Sequence, residues 1–291
     1  MDARVVLPTW NAGAQLAELL ARLRAQQPAG IVREIVVIDS ASSDGTPELA
    51  AREGAQVISI AKSEFNHGAT RTRAAEGTTA TAVVFLVQDA LPVGDRFVAS
   101  LLAPLADPTI AGAYARVVPH ENATTLVRRD VERDLVAGRA RLVKRLADHP
   151  DFASWNAADR RIFCHFNNVA SAIRASVFRE LPFRNLPFGE DLDWGKRALE
   201  AGHGIAFAAD AVVAHSHESG LARDFARHRD DAVIEAQLFG IRRPRSFLGA
   251  LARAARLTAR DLAGSPPQLA PLLRLAQSLG RWRGASSGAS R

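Results

Sequence analysis

The sequence has almost no cysteine. Its 291 residues include only Cys164, which excludes an intramolecular disulfide and a cysteine-built zinc site and fits a reducing compartment. It also lacks any apolar run near the ~18 residues that a membrane-spanning helix needs. The first residues enter a strand pattern directly, without the features of a signal peptide. A cytoplasmic protein is therefore expected, one able to rest peripherally on the inner face of the cell membrane. Several catalytic signatures are missing too. There is no Gly-x-Ser-x-Gly, no His-Glu-x-x-His, no cysteine-nucleophile pattern and no Walker Gly-Lys-Ser/Thr. Serine-hydrolase, zinc-protease and P-loop chemistry of the usual kinds are thereby set aside.

What is present suits a globular protein. Hydrophobic residues make up 47% and charged residues 23% of the chain, enough for a sizeable core. The net charge of +6 is uneven: Leu221–Arg291 holds thirteen arginines against five acids, about +8, leaving the remainder near −2. A basic tail on a near-neutral body suggests an acidic partner surface. Nucleic-acid binding would want aromatics interleaved with the basic residues. The tail carries one tryptophan, Trp282, so no nucleic-acid partner is expected.

Hydrophobic periodicity predicts a strand over Arg4–Pro8, a helix over Ala14–Ala25, a buried strand over Glu34–Asp39, a helix with Thr46 as N-cap and Pro47 as its first residue, and a strand over Gln56–Ile60. Alternation of this kind means a doubly wound parallel sheet. Glu64–Arg71 leads into an alanine-rich helix. Val83–Val87 is apolar throughout and reads as a strand buried on both faces, with Pro92 ending the element. Further on, the pattern predicts a strand over Gly112–Val118, a charged helical stretch over Thr124–Ala147, a loop over Asp148–Asp159, and an edge strand or pocket wall over Ile162–Ser171. A helix from Glu190 to about Ala201, stopped by Gly202, precedes short strands at Ile205–Ala208 and Val212–His215. After Gly220 the chain reads as helical, punctuated by Pro244 and by Pro266-Pro267, with a Gly/Ser-rich end.

In an open α/β sheet, ligands bind beyond the carboxyl ends of the strands. Asp39 and Asp89 fall there; each could cap a turn, but Asp39 could equally bond a nucleoside base or ribose, and Asp89 could hold a metal ion. Glu190 and Asp191 lie in a first helical turn, where the macrodipole favours negative charge and where a catalytic base could also sit. His215 and His217, two apart, point to one face of an extended chain and could join Asp89 around Mg²⁺ or Mn²⁺. His67-Gly68 with Arg71 could cradle a phosphate.

Together these segments resemble the family 2 inverting glycosyltransferases with the GT-A fold. Pro8-Thr9-Trp10-Asn11 is similar to that family's Pro-x-Tyr-Asn loop, and Val36–Ser40 with Ser43–Thr46 to its "VVDDxSxDGT" signature. Phe85–Asp89 matches the strand carrying the Asp-x-Asp metal motif, and Gly189-Glu190-Asp191 the catalytic-base motif. Glu64–Arg71, Gln88-Asp89-Ala90, Leu181-Pro182-Phe183 and His215-Ser216-His217 most resemble the bacterial rhamnosyltransferase subgroup. Val87 stands in place of the first Asp of Asp-x-Asp, and Thr72 in place of an expected Asn.

The resemblance implies a mixed, mainly parallel Rossmann-like sheet flanked by helices, with a catalytic domain over 1–218 and a basic helical extension over 219–291. It implies Asp191 as general base with Glu190 beside it, and nucleotide contacts from Pro8, Thr9, Asn11, Asp39, Ser40, His67, Arg71 and Gln88. Asp89, His215 and His217 would hold Mg²⁺ or Mn²⁺. The expected partners are a nucleotide-diphosphate sugar, dTDP-rhamnose favoured, and a cell-envelope glycan or lipid-linked acceptor. In the tail, Phe247, Leu248, Leu251, Ala255, Thr258 and Leu262 share one helical face and Arg253, Arg256 and Arg260 another. Such a helix could lie on an anionic membrane or pack back on the protein. Two other readings compete: a metal-dependent nucleotidyltransferase, disfavoured because the first loop has no basic residue, and a non-catalytic nucleotide-sugar binder, disfavoured by Glu190-Asp191.

Overall fold

The computed structural model describes residues 1–218, 220–262 and 270–287. Pro266-Pro267 and the last four residues of the Gly/Ser-rich end lie outside them, as does the side chain of Leu262. The elements are β1 (Ala3–Thr9), α1 (Gly13–Arg24), β2 (Val32–Asp39), α2 (Thr46–Arg52), β3 (Gln56–Ser59), α3 (His67–Ala75), β4 (Ala82–Leu86), β5 (Leu91–Pro92), α4 (Phe97–Leu102), β6 (Ile110–Val118), α5 (Thr125–Glu132), β7 (Leu142–Lys144), α6 (Ala157–Phe163), β8 (Ala170–Arg174), α7 (Ala175–Glu180), α8 (Glu190–Glu200), β9 (Gly204–Ala214), α9 (Leu221–Phe239), α10 (Phe247–Leu262) and α11 (Ala270–Ser287).

The chain forms two compact units. The first comprises 1–118, 134–150 and 164–215 and holds a mixed sheet in the order β3-β2-β1-β4-β8-β6-β9-β5, with β7 beside β9. Strands β3, β2, β1 and β4 are parallel, β8 runs against β4 and β6, and β6 and β9 are parallel again. This is the expected mixed sheet, with its longest ladders parallel. Helix α1 buries Leu16, Leu19, Leu20 and Leu23 at helical spacing, each contributing about 1.5–3 kcal/mol. All five residues of β4 are buried, as a strand covered on both faces requires.

Several local expectations are corrected. Thr46 lies inside α2, and Gly45 is the N-cap; the Thr46 hydroxyl instead donates to Asp44 at 2.6 Å. Pro92 does not end the β4 element but belongs to β5, an end strand of the sheet order, where a missing N–H is tolerated. The helix expected over Thr124–Ala147 stops at Glu132, and 142–144 forms a strand against β9. There Leu142 and Val143 are exposed while Lys144 is buried, a reversal of the usual polarity that hides the strand from pattern reading. The Asp148–Asp159 loop contains a 3₁₀ turn at 152–154 and the start of α6. The edge strand expected over Ile162–Ser171 gives way to the end of α6, a buried turn and a central strand, β8. Its Ala-Ser-Ala-Ile-Arg sequence has little β-branched content. The two strands expected after Gly202 are one, β9, with a register shift opposite Ala115/Arg116.

The second unit, 119–133, 151–163 and 216–291, is helical. In it α9 and α11 lie so close that a Cβ at Gly280 or Gly284 would overlap the carbonyl oxygens of Phe225 and Arg229. Buried charges are answered in pairs: Arg274 bonds Asp261 at 2.6 Å and Asp130 at 2.6 Å, and Arg161 and Arg281 both meet Glu235. Helix α10 turns Ala250 and Ala254 inward and leaves Leu248 75% exposed, with Phe247 and Leu251 also open. Arg253, expected on the outer basic face, is half-buried, whereas Arg256 and Arg260 are exposed. Among the described residues no helix is long and apolar enough to cross a membrane.

Gly→Ala in an exposed helix is ordinarily stabilising by up to ~1 kcal/mol. At Gly284 the sign should reverse, because the added methyl meets backbone: Gly284→Ala should destabilise by about 1–3 kcal/mol, seen as a lower denaturation midpoint in urea.

Candidate active site

Strands β1 and β2 end side by side, and this brings Thr9 and Asp39 together. Thr9 and Asp39 are register partners at the ends of β1 and β2, and the Thr9 hydroxyl donates to Asp39 Oδ1 at 2.9 Å. Asp39 is buried and also accepts from the Ser42 amide at 2.8 Å and the Ser42 hydroxyl at 2.5 Å. Ser40 follows it with a buried hydroxyl oxygen that has no hydrogen-bond partner among the described residues. Pro8 is half-buried and Asn11 exposed; Asn11 holds the second loop by accepting from the Ser43 amide at 2.9 Å. Gln88 bridges to the first loop, accepting from the Trp10 amide at 2.8 Å and donating to its carbonyl at 3.2 Å. Lys62 stands 3.6 Å over the Trp10 ring, a cation–π contact.

Asp89 follows β4 and His215 follows β9. The Leu91–Ala214 register sets them near each other, and His215 Nε2 lies 3.5 Å from Asp89 Oδ1. One ligand atom each from Asp89, His215 and His217 can be chosen so that all lie within 4.8 Å of one another. Two imidazole nitrogens and a carboxylate oxygen form a donor set that a divalent metal ion could use.

Glu190 and Asp191 open α8. Gly189 precedes them with φ +76°, a left-handed turn that glycine makes without strain. The helix is anchored by Trp194, fully buried, whose indole donates to the Leu181 carbonyl at 2.9 Å. Asp191 is half-buried. Its oxygens accept from the Asn168 amide at 3.1 Å and from the Leu192 amide at 2.7 Å. Burial first, and the neighbouring Glu190 charge second, push its pKa up to about 7, the range a general base needs. Glu190 is buried against Arg71 at 3.1 Å and accepts from the Asn168 side-chain amide at 3.0 Å. His67 is half-buried between Phe65 and Phe188, with ring centroids at 5.0 and 6.1 Å.

Sequence reasoning missed Asn168, which touches both acids and whose Oδ1 accepts from the Ser171 hydroxyl at 2.7 Å. The available signal was a pair of amides, Asn167-Asn168, just after an aromatic run. The backbone then ties this turn to β4: the Val87 amide donates to the Val169 carbonyl at 3.1 Å. The candidates therefore lie along linked contacts, from Asp39 through Thr9 and the first loop to Gln88-Asp89, and from Val87 through the 167–169 turn to Asp191, Glu190 and Arg71.

The sequence pattern of the family described as Glycosyl transferase family 2 matches residues 4–166. The O-antigen chain rhamnosyltransferase RfbN of Salmonella typhimurium is 31% identical over 81% of this chain and 73% of its own length. WbaN of Salmonella anatum, another O-antigen chain rhamnosyltransferase, is 32% identical over 80% and 71%. Among solved structures, the mannosyltransferase PcManGT from Pyrobaculum calidifontis, in complex with GDP-Man and Mn²⁺, superposes with a TM-score of 0.58 at 20% identity, covering 98% of this chain and 73% of that one. That likeness is one of fold.

Because burial raises the Asp191 pKa from the ordinary ~4, the folded state binds a proton there that the unfolded state has lost. Its contribution to stability is fully present below ~4 and falls as pH rises toward about 7. Asp191→Asn removes that titration, so its melting temperature relative to the parent should be higher at pH 8 than at pH 5, measured by differential scanning fluorimetry.

Proposed function

The chain belongs to glycosyl transferase family 2 and is an inverting glycosyltransferase, and from that premise we propose that it moves rhamnose from dTDP-rhamnose to a hydroxyl of a cell-envelope glycan or its lipid-linked precursor. A nucleotide-sugar donor and a glycan acceptor follow from family membership. Rhamnose and dTDP are the finer reading, supported by the two O-antigen rhamnosyltransferases it resembles over four-fifths of its length. The observation that carries the mechanism is the half-open Asp191, held by two backbone amides, with its pKa raised to about 7.

In this reading Asp191 takes the proton from the acceptor hydroxyl, and the oxygen attacks the anomeric carbon from the face opposite the nucleotide. The bond from that carbon to the diphosphate oxygen breaks as the new one forms, and the configuration inverts once. Pro8, Thr9, Asn11, Asp39, Ser40, His67 and Gln88 would line the nucleotide side, within residues 1–218. Asp89, His215 and His217 would hold the divalent ion, which when bound supplies Lewis-acid charge on the departing diphosphate. The nucleotidyltransferase reading is disfavoured because the first loop, Thr9-Trp10-Asn11-Ala12-Gly13, carries no basic residue.

Purified protein should release dTDP from dTDP-rhamnose with Mn²⁺ and a lipid-extract acceptor, and Asp191→Asn should lower that rate by about 10²–10⁴-fold. Turnover of a UDP- or GDP-sugar with dTDP-rhamnose inert would overturn the donor. A fully active Asp191→Asn would overturn the base.

The extension over 219–291 would bring the enzyme to an anionic membrane. Its support is the open Phe247, Leu248 and Leu251, with exposed Arg242, Arg243 and Arg245 just before them in sequence, Arg256 and Arg260 further along α10, and no acid over 241–260. Basic residues near such a surface contribute ~1 kcal/mol each. The protein should sediment with phosphatidylglycerol vesicles and not with phosphatidylcholine alone. Leu248→Glu with Leu251→Glu should abolish sedimentation; a double variant that still binds would remove the helix from this role.

A further inference from the structure

We propose that Arg71 is a positioning residue that fixes the Glu190–Asp191 pair, rather than a ligand of the nucleotide. The proposal deepens the reading above, since it rests on Asp191 as the base. A phosphate-binding arginine has to be reached by its ligand. Arg71 is enclosed: its side chain and that of Glu190 are each 5% exposed, and they meet at 3.1 Å. The same Nη1 donates to the His67 carbonyl at 3.0 Å, so the guanidinium is tied at once to the start of α3 and to the start of α8.

The neighbouring residues explain why α3 comes so near. Gly68 lies against the loop before α8, where a Cβ would overlap the Arg184 carbonyl oxygen and stand 3.4 Å from the Glu190 Cβ. Asn66 caps α3 by accepting from the Gly68 and Ala69 amides, each at 3.0 Å. Thr72 donates to the Phe183 carbonyl at 3.4 Å. One face of the segment, Gly68, Arg71 and Thr72, is thus spent on the 183–190 stretch.

The charges are divided in the same way. The first turn of α8 carries Glu190, Asp191 and Asp193. Asp193 has Arg184 at 3.3 Å and Arg197 at 2.7 Å. Glu190 has Arg71, with His67 beside it on α3. With Glu190 so held, its Oε1 also accepts from the Asn168 side-chain amide while the Asn168 backbone amide donates to Asp191. Displacing Glu190 therefore displaces the turn that orients the base.

The test separates binding from turnover. Calorimetric titration of dTDP with Mn²⁺ should give a Kd for Arg71→Gln within about 2-fold of the parent, while kcat falls by about 100-fold, the size expected of a misplaced reacting group. Arg71→Lys should recover part of kcat. Adding Glu190→Gln to Arg71→Gln should raise kcat above that of Arg71→Gln alone, because the buried acid no longer lacks its cation. A Kd weakened 10-fold or more with kcat retained, or losses that simply multiply in the double variant, would overturn the proposal. If Arg71→Gln does not fold, the Lys and double variants are judged by the same Kd and kcat criteria. If the parent turns over no donor, the proposed function fails alone, and the dTDP titration still decides whether Arg71 contacts nucleotide.

Discussion

Two consecutive carboxylates cannot share one buried turn unless positive charge and hydrogen-bond donors stand against them. Glu190 and Asp191 meet that condition with Arg71, the N-terminal end of α8 and both nitrogens of Asn168. The surrounding architecture supplies these groups from separate parts of the chain. Trp194 fixes α8 by its bond to Leu181, and Gly68 lets α3 approach the loop ahead of α8. The Val87–Val169 bond holds the Asn168 turn at the end of β4. The unequal result is useful: Glu190 is neutralised by a cation, and Asp191, left half-open with a raised pKa, can take a proton.

The first half of the sheet was legible because each element was locally decisive. The leucines of α1 recur at helical spacing, and β1, β2 and β4 are apolar runs ending in polar loops. Asp39 and Asp89 stood out as candidates because they follow strands, where ligands bind in open sheets; Thr9 became a candidate only through the family resemblance. The second half was less legible for physical reasons. Strand β8 is central yet built from small residues, so it lacks the bulk that marks a buried strand. Strand β7 turns a lysine inward, where Lys144 reaches the Tyr114 hydroxyl at 3.1 Å. Asn168 is an ordinary loop amide until the fold sets two acids beside it, a tertiary fact no local pattern encodes.

The same holds for charge. The tail's excess of arginine reads as one basic block, but the structure sorts it into two populations. Arg274 and Arg281 are spent on Asp130, Asp261 and Glu235 within the helical unit. Arg242, Arg243, Arg245, Arg256 and Arg260 remain exposed, three of them before α10 and two along it. Helix α10 divides likewise: Ala250 and Ala254 are buried, while Phe247, Leu248 and Leu251 are exposed. Composition gave the sum, and only packing gives the part of it that a partner surface could feel.

Val87 poses the sharpest question about the metal. Where the family's usual motif offers two carboxylates, this chain has one, Asp89, together with the imidazoles of His215 and His217. Neutral imidazoles supply ligand atoms without charge, so the set carries a single negative charge against a dication. An ion held there would keep an unsatisfied positive charge until a diphosphate joined it. A donor set of this kind is therefore better matched to a metal arriving with its nucleotide than to one held permanently. With Val87 in place of a carboxylate, a metal at this site would draw part of its charge balance from the donor's diphosphate and not from the protein.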